Sequence, residues 1–335
     1  MKPIKNAQIG AGHDHAPMVF RSMQRNPEYF EIIGAAEVNA ERKESFLNEV
    51  PMYTVDELLE MPELEAVAIE CEEERATEVA QRFAERGIAV HLDKPGSANL
   101  ASFEKLIETL RKNNCPFQVG YMYRHHPLVQ RAFELAESGT LGEIHSVEAH
   151  MSLAYDNEKC AWLEKFPGGM MYFLGCHMID LVMRLQGEPE EVIPMNTCGG
   201  MRPNHAEEFG FVALRYPHGG SFVKSVCDEI GGFGRRQLVV CGSKGTVSIC
   251  PMENYPAGNS NTVQSVGKLI KLKEGGAPWS WQTESEAWDS GLYDRYDNMM
   301  RTFARRVRGE SAEPYTYDYE LKLFRLVMKC CGVTE

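Results

Sequence analysis

The sequence predicts an α/β protein of two domains: a doubly wound parallel sheet over residues 1–121, then an α+β domain over residues 122–335 built on an open, mostly antiparallel sheet. Three observations carry this expectation. At 335 residues the chain exceeds what one hydrophobic core ordinarily organises. Short apolar runs alternate with amphipathic stretches as far as Gly120, the pattern of parallel strands and crossover helices. After Arg124 extended segments dominate, and hairpin-like breaks separate several of them.

Ile4 to Ile9 reads as the first strand, followed by the turn Gly10-Ala11-Gly12. A helix follows from Ala16 to Arg25, where Pro17 suits a first turn that needs no backbone donor. Phe30 to Glu37 is the second strand, and Met52-Tyr53-Thr54 a short extended piece leading into the acidic helix start Val55 to Leu59. Ala66 to Glu70 is an apolar strand. Glu74 to Arg86 is a helix with Val79, Ala80 and Phe83 on its apolar side, ended by Gly87. Ile88 to Leu92 is the next strand, Leu100 to Lys112 a helix, and Phe117 to Gly120 closes the series.

In the second half Pro127 to Ser138 reads as a helix ended by Gly139. The extended segments are Ile144 to Leu153, Glu191 to Met195, Glu207 to Tyr216, Ser221 to Cys227, Arg236 to Cys241 and Gly245 to Ile249. Breaks fall at Pro217-His218-Gly219-Gly220 and at Gly242-Ser243-Lys244-Gly245. One helix, Tyr172 to Leu185, is inserted early. Lys268 to Gly276, continuing through Trp279 and Trp281, reads as a surface loop or hairpin, and the last helices run from Gly291 to Arg308 and from Tyr317 to Cys331.

The formal net charge of −13 argues against nucleic acid or an anionic membrane surface as a partner. No apolar run approaches the roughly 20 residues of a membrane span, and no signal-peptide core opens the chain. Ten cysteines are scattered, several in apolar elements, with no Cys-x-x-Cys pair and no His/Cys ladder of zinc spacing. Reduced thiols in a cytoplasmic protein, with no metal, is the expectation.

The glycine turn has the strand–turn–helix context in which such fingerprints bind a dinucleotide. Gly10 lets the chain turn off the strand, and Gly12 lets backbone N–H groups approach a pyrophosphate at the positive end of the helix. The third glycine of the fingerprint is replaced by His15, with the small Ala16 beside it. Glu37 stands roughly 20 positions on, where a carboxylate accepts hydrogen bonds from the adenosine ribose and repels a 2′-phosphate. This favours NAD over NADP. The expected cofactor edge comprises Gly10, Gly12, His13, His15, Glu37, Glu70, Lys94 and Pro95.

Lys94 lies in Asp93-Lys94-Pro95-Gly96 at a strand's carboxyl end, where an ammonium stabilises an alkoxide and relays a proton. On spacing alone the same turn also reads as an ordinary strand end with a solvated lysine. His177 and Asp180 fall about one helical turn apart in Gly168-Gly169-Met170-Met171-Tyr172-Phe173-Leu174-Gly175-Cys176-His177-Met178-Ile179-Asp180. A histidine oriented by a carboxylate serves as a general base, or it is a core histidine satisfied by that carboxylate.

Together these residues resemble the Gfo/Idh/MocA oxidoreductases over nearly the whole chain. The family's Glu-Lys-Pro motif stands here as Asp93-Lys94-Pro95 after what reads as the fifth strand, and its Gly-Gly-x-x-x-Asp-x-Gly-x-His-x-x-Asp motif as Gly168 through Asp180. Arg124 and Pro127 resemble its Arg-x-x-Pro segment, and Gly242 to Gly245 its late hairpin. The resemblance implies a Rossmann domain and an open-sheet domain, with Lys94 and His177 as the catalytic pair about a nicotinamide. It implies a secondary alcohol of a sugar, glycoside or cyclitol as substrate, bound by Lys94, Tyr123, Arg124, Tyr155, Trp162, Phe173, His177 and Asp180. A homodimer or homotetramer formed through the second sheet is also implied.

One departure matters. The family often has an aspartate four residues before the histidine, where this chain has Phe173. An apolar ring stacks on a sugar's C–H face but shares no proton, so a carboxylate must come from elsewhere (Asp156, Glu158 or Asp180) or be dispensed with. His125 and His126 read equally as pocket wall or surface, and Arg235 and Arg236 as surface in preference to reaching the pocket from the second sheet. Two other activities stay open: glycoside cleavage with a tightly held NAD and no net redox change, and a sugar or NAD sensor without turnover.

Overall fold

The computed structural model describes residues 2–42, 46–200, 202–255, 262–277, 282–310 and 314–334. Trp279 and Trp281 lie outside the described residues. The chain forms two compact units: Met1–Met122 with Arg295–Phe324, and Tyr123–Asp294 with Arg325–Glu335.

The first unit is a five-stranded parallel sheet in the order β2-β1-β3-β4-β5, with β1 Ile4–Ile9, β2 Phe30–Ala36, β3 Ala66–Ile69, β4 Ala89–Leu92 and β5 Phe117–Val119. Helices α1 Ala16–Arg25, α2 Val55–Leu59, α3 Glu73–Glu85 and α4 Leu100–Lys112 connect them. β3 and β4 are buried along their whole length, as a parallel sheet covered on both faces requires. This is the doubly wound architecture the alternation predicts.

Two expectations change here. Met52-Tyr53-Thr54 makes one bridge to Ala35 and no strand, because Thr54 immediately caps α2 in a reciprocal box with Glu57. Asp93-Lys94-Pro95 therefore follows the fourth strand, not the fifth. The boundary at residue 121 also does not give everything after it to the second domain, since Arg295–Phe324 returns to the first unit. The helix in that segment buries Met299, Met300 and Phe303, and Phe303 meets the His91 ring at 5.6 Å. Gln118 Nε2 donates to the Met299 carbonyl at 3.2 Å, and Phe324 packs on Phe103 at 4.6 Å.

The second unit opens with α5 Pro127–Glu137 and contains β6 Ile144–His150, α6 Asn157–Trp162, α7 Cys176–Gln186, β7 Glu191–Pro194, β8 Phe209–Tyr216, β9 Gly219–Val226, α8 Gly232–Arg235, β10 Gln237–Gly242 and β11 Gly245–Ile249. After these come β12 Thr262–Val263, β13 Val266–Leu272, β14 Thr283–Asp289 and β15 Tyr293–Asp294. The last two helices of the chain are α9 Asp297–Val307, in the first unit, and α10 Tyr317–Cys330. The large sheet has the order β14-β13-β11-β10-β6-β9-β8-β7, antiparallel throughout except for the pair β6–β9. Helix α7 covers β6 and β9, and α5 packs on β11.

β14 escapes sequence reading for a physical reason. Its residues Thr-Glu-Ser-Glu-Ala-Trp-Asp are exposed apart from Trp288, so no alternation marks it, and backbone pairing to β13 alone makes it an edge strand. The helix expected from Gly291 begins only at Asp297, after β15. Tyr172 to Leu185 is helical throughout, but its first turn, Met171–Gly175, is wound as a π-helix before α7.

Candidate active site

In the first unit the sequence-predicted residues gather at the carboxyl ends of the strands. Gly10 adopts φ +83°, and a Cβ there would stand 2.5 Å from Cys71 Cβ. A Cβ on Gly12 would meet the Glu72 carboxyl carbon at 2.5 Å. Both glycines are thus demanded by close backbone approach. The N-cap of α1 is His15, with Pro17 in its first turn as expected. Glu37, one residue past β2, turns onto the glycine loop: its Oε2 accepts from the Ala11 N–H at 3.2 Å and its Oε1 from the Asn39 N–H at 3.0 Å. A glycine turn free of side chains, opening a helix beside a carboxylate, fits a dinucleotide.

Beneath that turn lies a network the sequence does not announce. His13 Nδ1 is 2.6 Å from Asp93 Oδ2, His15 Nδ1 is 3.1 Å from the same oxygen, and His13 Nε2 is 3.4 Å from Glu73 Oε1. Burial would raise the Asp93 carboxyl, but the charges and hydrogen bonds of His13 and His15 outweigh it and hold the group well below the usual carboxylate range. Burial pushes the His15 imidazole down to about 4 against the pull of Asp93. Glu70 is wholly buried, 3.5 Å from His91 Nε2, and burial together with the Asp93 charge raises its carboxyl well above the ordinary value. Its backbone lies against the glycine turn, the Glu70 carbonyl accepting from the His13 N–H at 2.9 Å.

Lys94 is buried at the end of β4, and its N–H donates to Asp93 Oδ1 at 2.6 Å. The Lys94–Pro95 bond is cis, and Gly96 follows with φ +107°. The Lys94 ammonium acts electrostatically on both His15 and Glu70, so it belongs to the same charged network.

In the second unit His177 is the second residue of α7 and is buried. Gly168 and Gly169 of its motif, both at positive φ, are needed by geometry, and Gly175 is crowded by a methionine side chain. A Cβ on Gly168 would stand 2.7 Å from Cys331, one on Gly169 2.5 Å from the Glu207 carbonyl, and one on Gly175 2.4 Å from Met171 Sδ. The His177 ring meets Tyr123 edge-on at 5.3 Å. Asp180, expected to orient His177, takes a bidentate ion pair from Arg124: Nε to Oδ2 at 2.9 Å and Nη2 to Oδ1 at 2.9 Å, with both side chains buried. The two residues predicted separately for the substrate are thus each other's partners.

Phe173, Trp162 and Tyr155 do come together, with ring centroids 5.1 Å apart for Trp162–Phe173 and 6.2 Å for Tyr155–Phe173. The Lys159 ammonium lies 3.7 Å from the Trp162 ring and 4.4 Å from that of Phe173, a cation the sequence reading missed. Of the carboxylates considered as substitutes for the missing aspartate, Asp156 caps α6 by accepting from the Lys159 N–H at 2.8 Å. Arg236 corrects an expectation. It is buried, not superficial, pairing with Glu253 Oε2 at 2.6 Å and donating to the Tyr123 hydroxyl at 3.1 Å, whereas Arg235 is exposed as expected. His126 is also interior: its Nδ1 accepts from the Leu128 and Val129 N–H groups and caps α5.

Comparisons with known proteins bear on the fold and the family. Residues 4–121 match the family model described as an oxidoreductase family with an NAD-binding Rossmann fold, and residues 129–248 match the GFO/IDH/MocA C-terminal domain. An uncharacterised oxidoreductase of Schizosaccharomyces pombe is 30% identical over 57% of this chain and 54% of its own length. The chain spans about half the length of the curated relatives it matches. Among solved structures, an oxidoreductase of Desulfitobacterium hafniense described as NADPH-dependent aligns with a TM-score of 0.82 at 17% identity, over 99% of this chain and 95% of that one. UDP-N-acetylglucosamine 3-dehydrogenase of Acidithiobacillus ferrooxidans aligns with a TM-score of 0.76 at 16% identity, over 99% and 98%. At these identities the structures attest the fold. The two domain models together attest the lineage: the chain belongs to the Gfo/Idh/MocA family of oxidoreductases.

Proposed function

We propose that this oxidoreductase transfers hydride between a secondary alcohol of a sugar, glycoside or cyclitol and a nicotinamide dinucleotide, NAD in preference to NADP. The observation that carries the reading is the buried Lys94 at the carboxyl end of β4, in the same charged network as the turn that begins at Gly10. When bound, the nicotinamide supplies the hydride acceptor. Gly10 and Gly12 leave room for the pyrophosphate, and Glu37 receives the adenosine ribose. Lys94 stabilises the developing alkoxide, and His177 takes the hydroxyl proton.

Tyr155, Trp162 and Phe173 form an apolar wall suited to the C–H face of a sugar ring, and Lys159 lies over that wall. The buried Arg124–Asp180 pair ties α7 to the segment just before α5. Relatives named for sugar-nucleotide and diol substrates favour the alcohol class, although one neighbour's description names NADPH.

Exposed apolar residues along one edge of the second sheet (Ile193, Met195 and Phe209) favour a homodimer or homotetramer. No helix among the described residues is long and apolar enough to cross a membrane, and no disulfide joins any of the ten cysteines, which suits a cytoplasmic protein.

The test begins with denaturing the purified chain and identifying any nucleotide released. The emptied protein is then titrated with NAD and NADP and offered a panel of sugars and cyclitols. NADH formation with one of these substrates supports the reading. Binding of neither nucleotide refutes it.

A further inference from the structure

A second cluster of chemistry-bearing side chains lies apart from the proposed catalytic residues, within the second unit. Cys160 on α6, Glu208 just before β8 and Cys227 just after β9 are all buried, and one ligand atom from each lies within 4.8 Å of the others. The two Sγ atoms are 3.4 Å apart. Two thiolates on a tetrahedral zinc, with Zn–S bonds of about 2.3 Å, would stand about 3.8 Å apart, so only a small adjustment is needed. The spacing 160, 208, 227 matches no linear metal motif, which is why the sequence gives no warning of it.

Glu208 supplies the independent observation. Its carboxylate is 1% exposed, and neither oxygen has a hydrogen-bond partner among the described residues. The nearest cation is Arg202, whose Nε is 3.8 Å from Oε1 and which is committed to Asp228 at 2.5–2.9 Å. A carboxylate in that condition is costly unless a cation joins it. Asp228 is not among the three side chains that already converge; its Oδ2 stands 3.7 Å from Cys227 Sγ, and it would join as a fourth ligand by turning from Arg202.

We propose that Cys160, Cys227 and Glu208, completed by Asp228, bind one divalent zinc ion. Thiolates with carboxylates suit zinc better than the hard cations, which prefer oxygen alone. Binding displaces the two thiol protons to solvent and leaves the oxidation state of every atom unchanged. The role is structural. Cys227 already shares backbone hydrogen bonds with Glu208 (N–H to O, 3.0 Å) and with Tyr155 (O from N–H, 2.9 Å). The ion would tie α6, which carries Trp162 and Lys159, to that same strand end.

The experiment is titration of the chelator-stripped full chain with Co²⁺, followed by back-titration with Zn²⁺. One Co²⁺ per chain is expected, with a thiolate-to-cobalt charge-transfer band and tetrahedral visible bands that zinc abolishes. Cys160→Ser and Cys227→Ser should each weaken binding about 100-fold, and Glu208→Gln about 10-fold with the charge-transfer band retained. Cys250→Ser, at an exposed thiol, should change nothing. The proposal is overturned if the unaltered chain gives no charge-transfer band with cobalt in large excess. It is overturned equally if the band survives in the double serine variant, or if Cys160 and Cys227 are isolated as a disulfide. The reading on the unaltered chain stands even where a variant fails to fold.

Discussion

His13 and Asp93 lie 2.6 Å apart, both buried, joining the loop after β1 to the loop after β4. The contact sets Asp93 beneath the glycine turn, where it also receives the Lys94 N–H. Asp93 is thus an internal anchor that binds the turn and the lysine into one unit. Removing its charge while keeping its shape, with Asp93→Asn, should lower stability by about 3–5 kcal/mol, the range for a broken buried ion pair. Urea unfolding at pH 7 measures it. A change under about 1 kcal/mol would show that the contact with His13 does not anchor the turn.

Acid should remove the stabilising share of a buried histidine in the first unit. Burial holds the folded His91 at about 4, while the unfolded residue titrates near 6.5. Between those values the unfolded chain takes up a proton that the folded chain refuses, so stability falls as pH drops from about 6.5 to about 4 and is level above that window. The loss is on the order of 2–3 kcal/mol for the one histidine. Unfolding free energies at pH 7, 6 and 5 should trace this slope together with that of His15, and His91→Gln should remove the His91 share of it.

Arg124 and Asp180 offer a test with a built-in rescue. Asp180→Asn leaves a buried guanidinium without its counter-charge, and a loss of about 3–5 kcal/mol is expected. The double change Arg124→Met with Asp180→Leu should recover most of it. If the two single losses simply add in the double variant, the pair is not coupled.

For turnover, Lys94→Met should reduce kcat by about 10²–10⁴-fold while nucleotide affinity changes little. Stopped-flow or steady-state kinetics with equilibrium titration separate the two. A variant that keeps most of its turnover removes Lys94 from the chemistry.

Cofactor choice turns on Glu37, whose carboxylate faces the glycine loop at 3.2 Å. Glu37→Ala should weaken NAD about 10-fold, through the lost charged hydrogen bonds, and tighten NADP. Fluorescence titration with both nucleotides reads the ratio, and an unchanged ratio would place selectivity elsewhere.

What the sequence by itself determined is the part written in local pattern. Apolar runs of four to seven residues made strands β1 to β4 legible, and glycines such as Gly87 marked where helices stop. The glycines at positions 10, 12, 168 and 169 were legible because backbone crowding admits no other residue there. The family motif around Lys94 and His177 was legible as a contiguous string of residues.

Only the tertiary structure decided who pairs with whom. Arg124 with Asp180, Arg236 with Glu253 and Tyr123, and His13 with Asp93 are matches between distant segments, made where packing excludes water and an unpaired charge would be costly. No periodicity encodes such a match. The same holds for α9, whose apolar face could cover either sheet until the fold assigned it to the first unit, and for β14, held by its backbone at an edge where side-chain pattern is silent. Local sequence specifies what each segment can be; burial decides which charged groups must find one another.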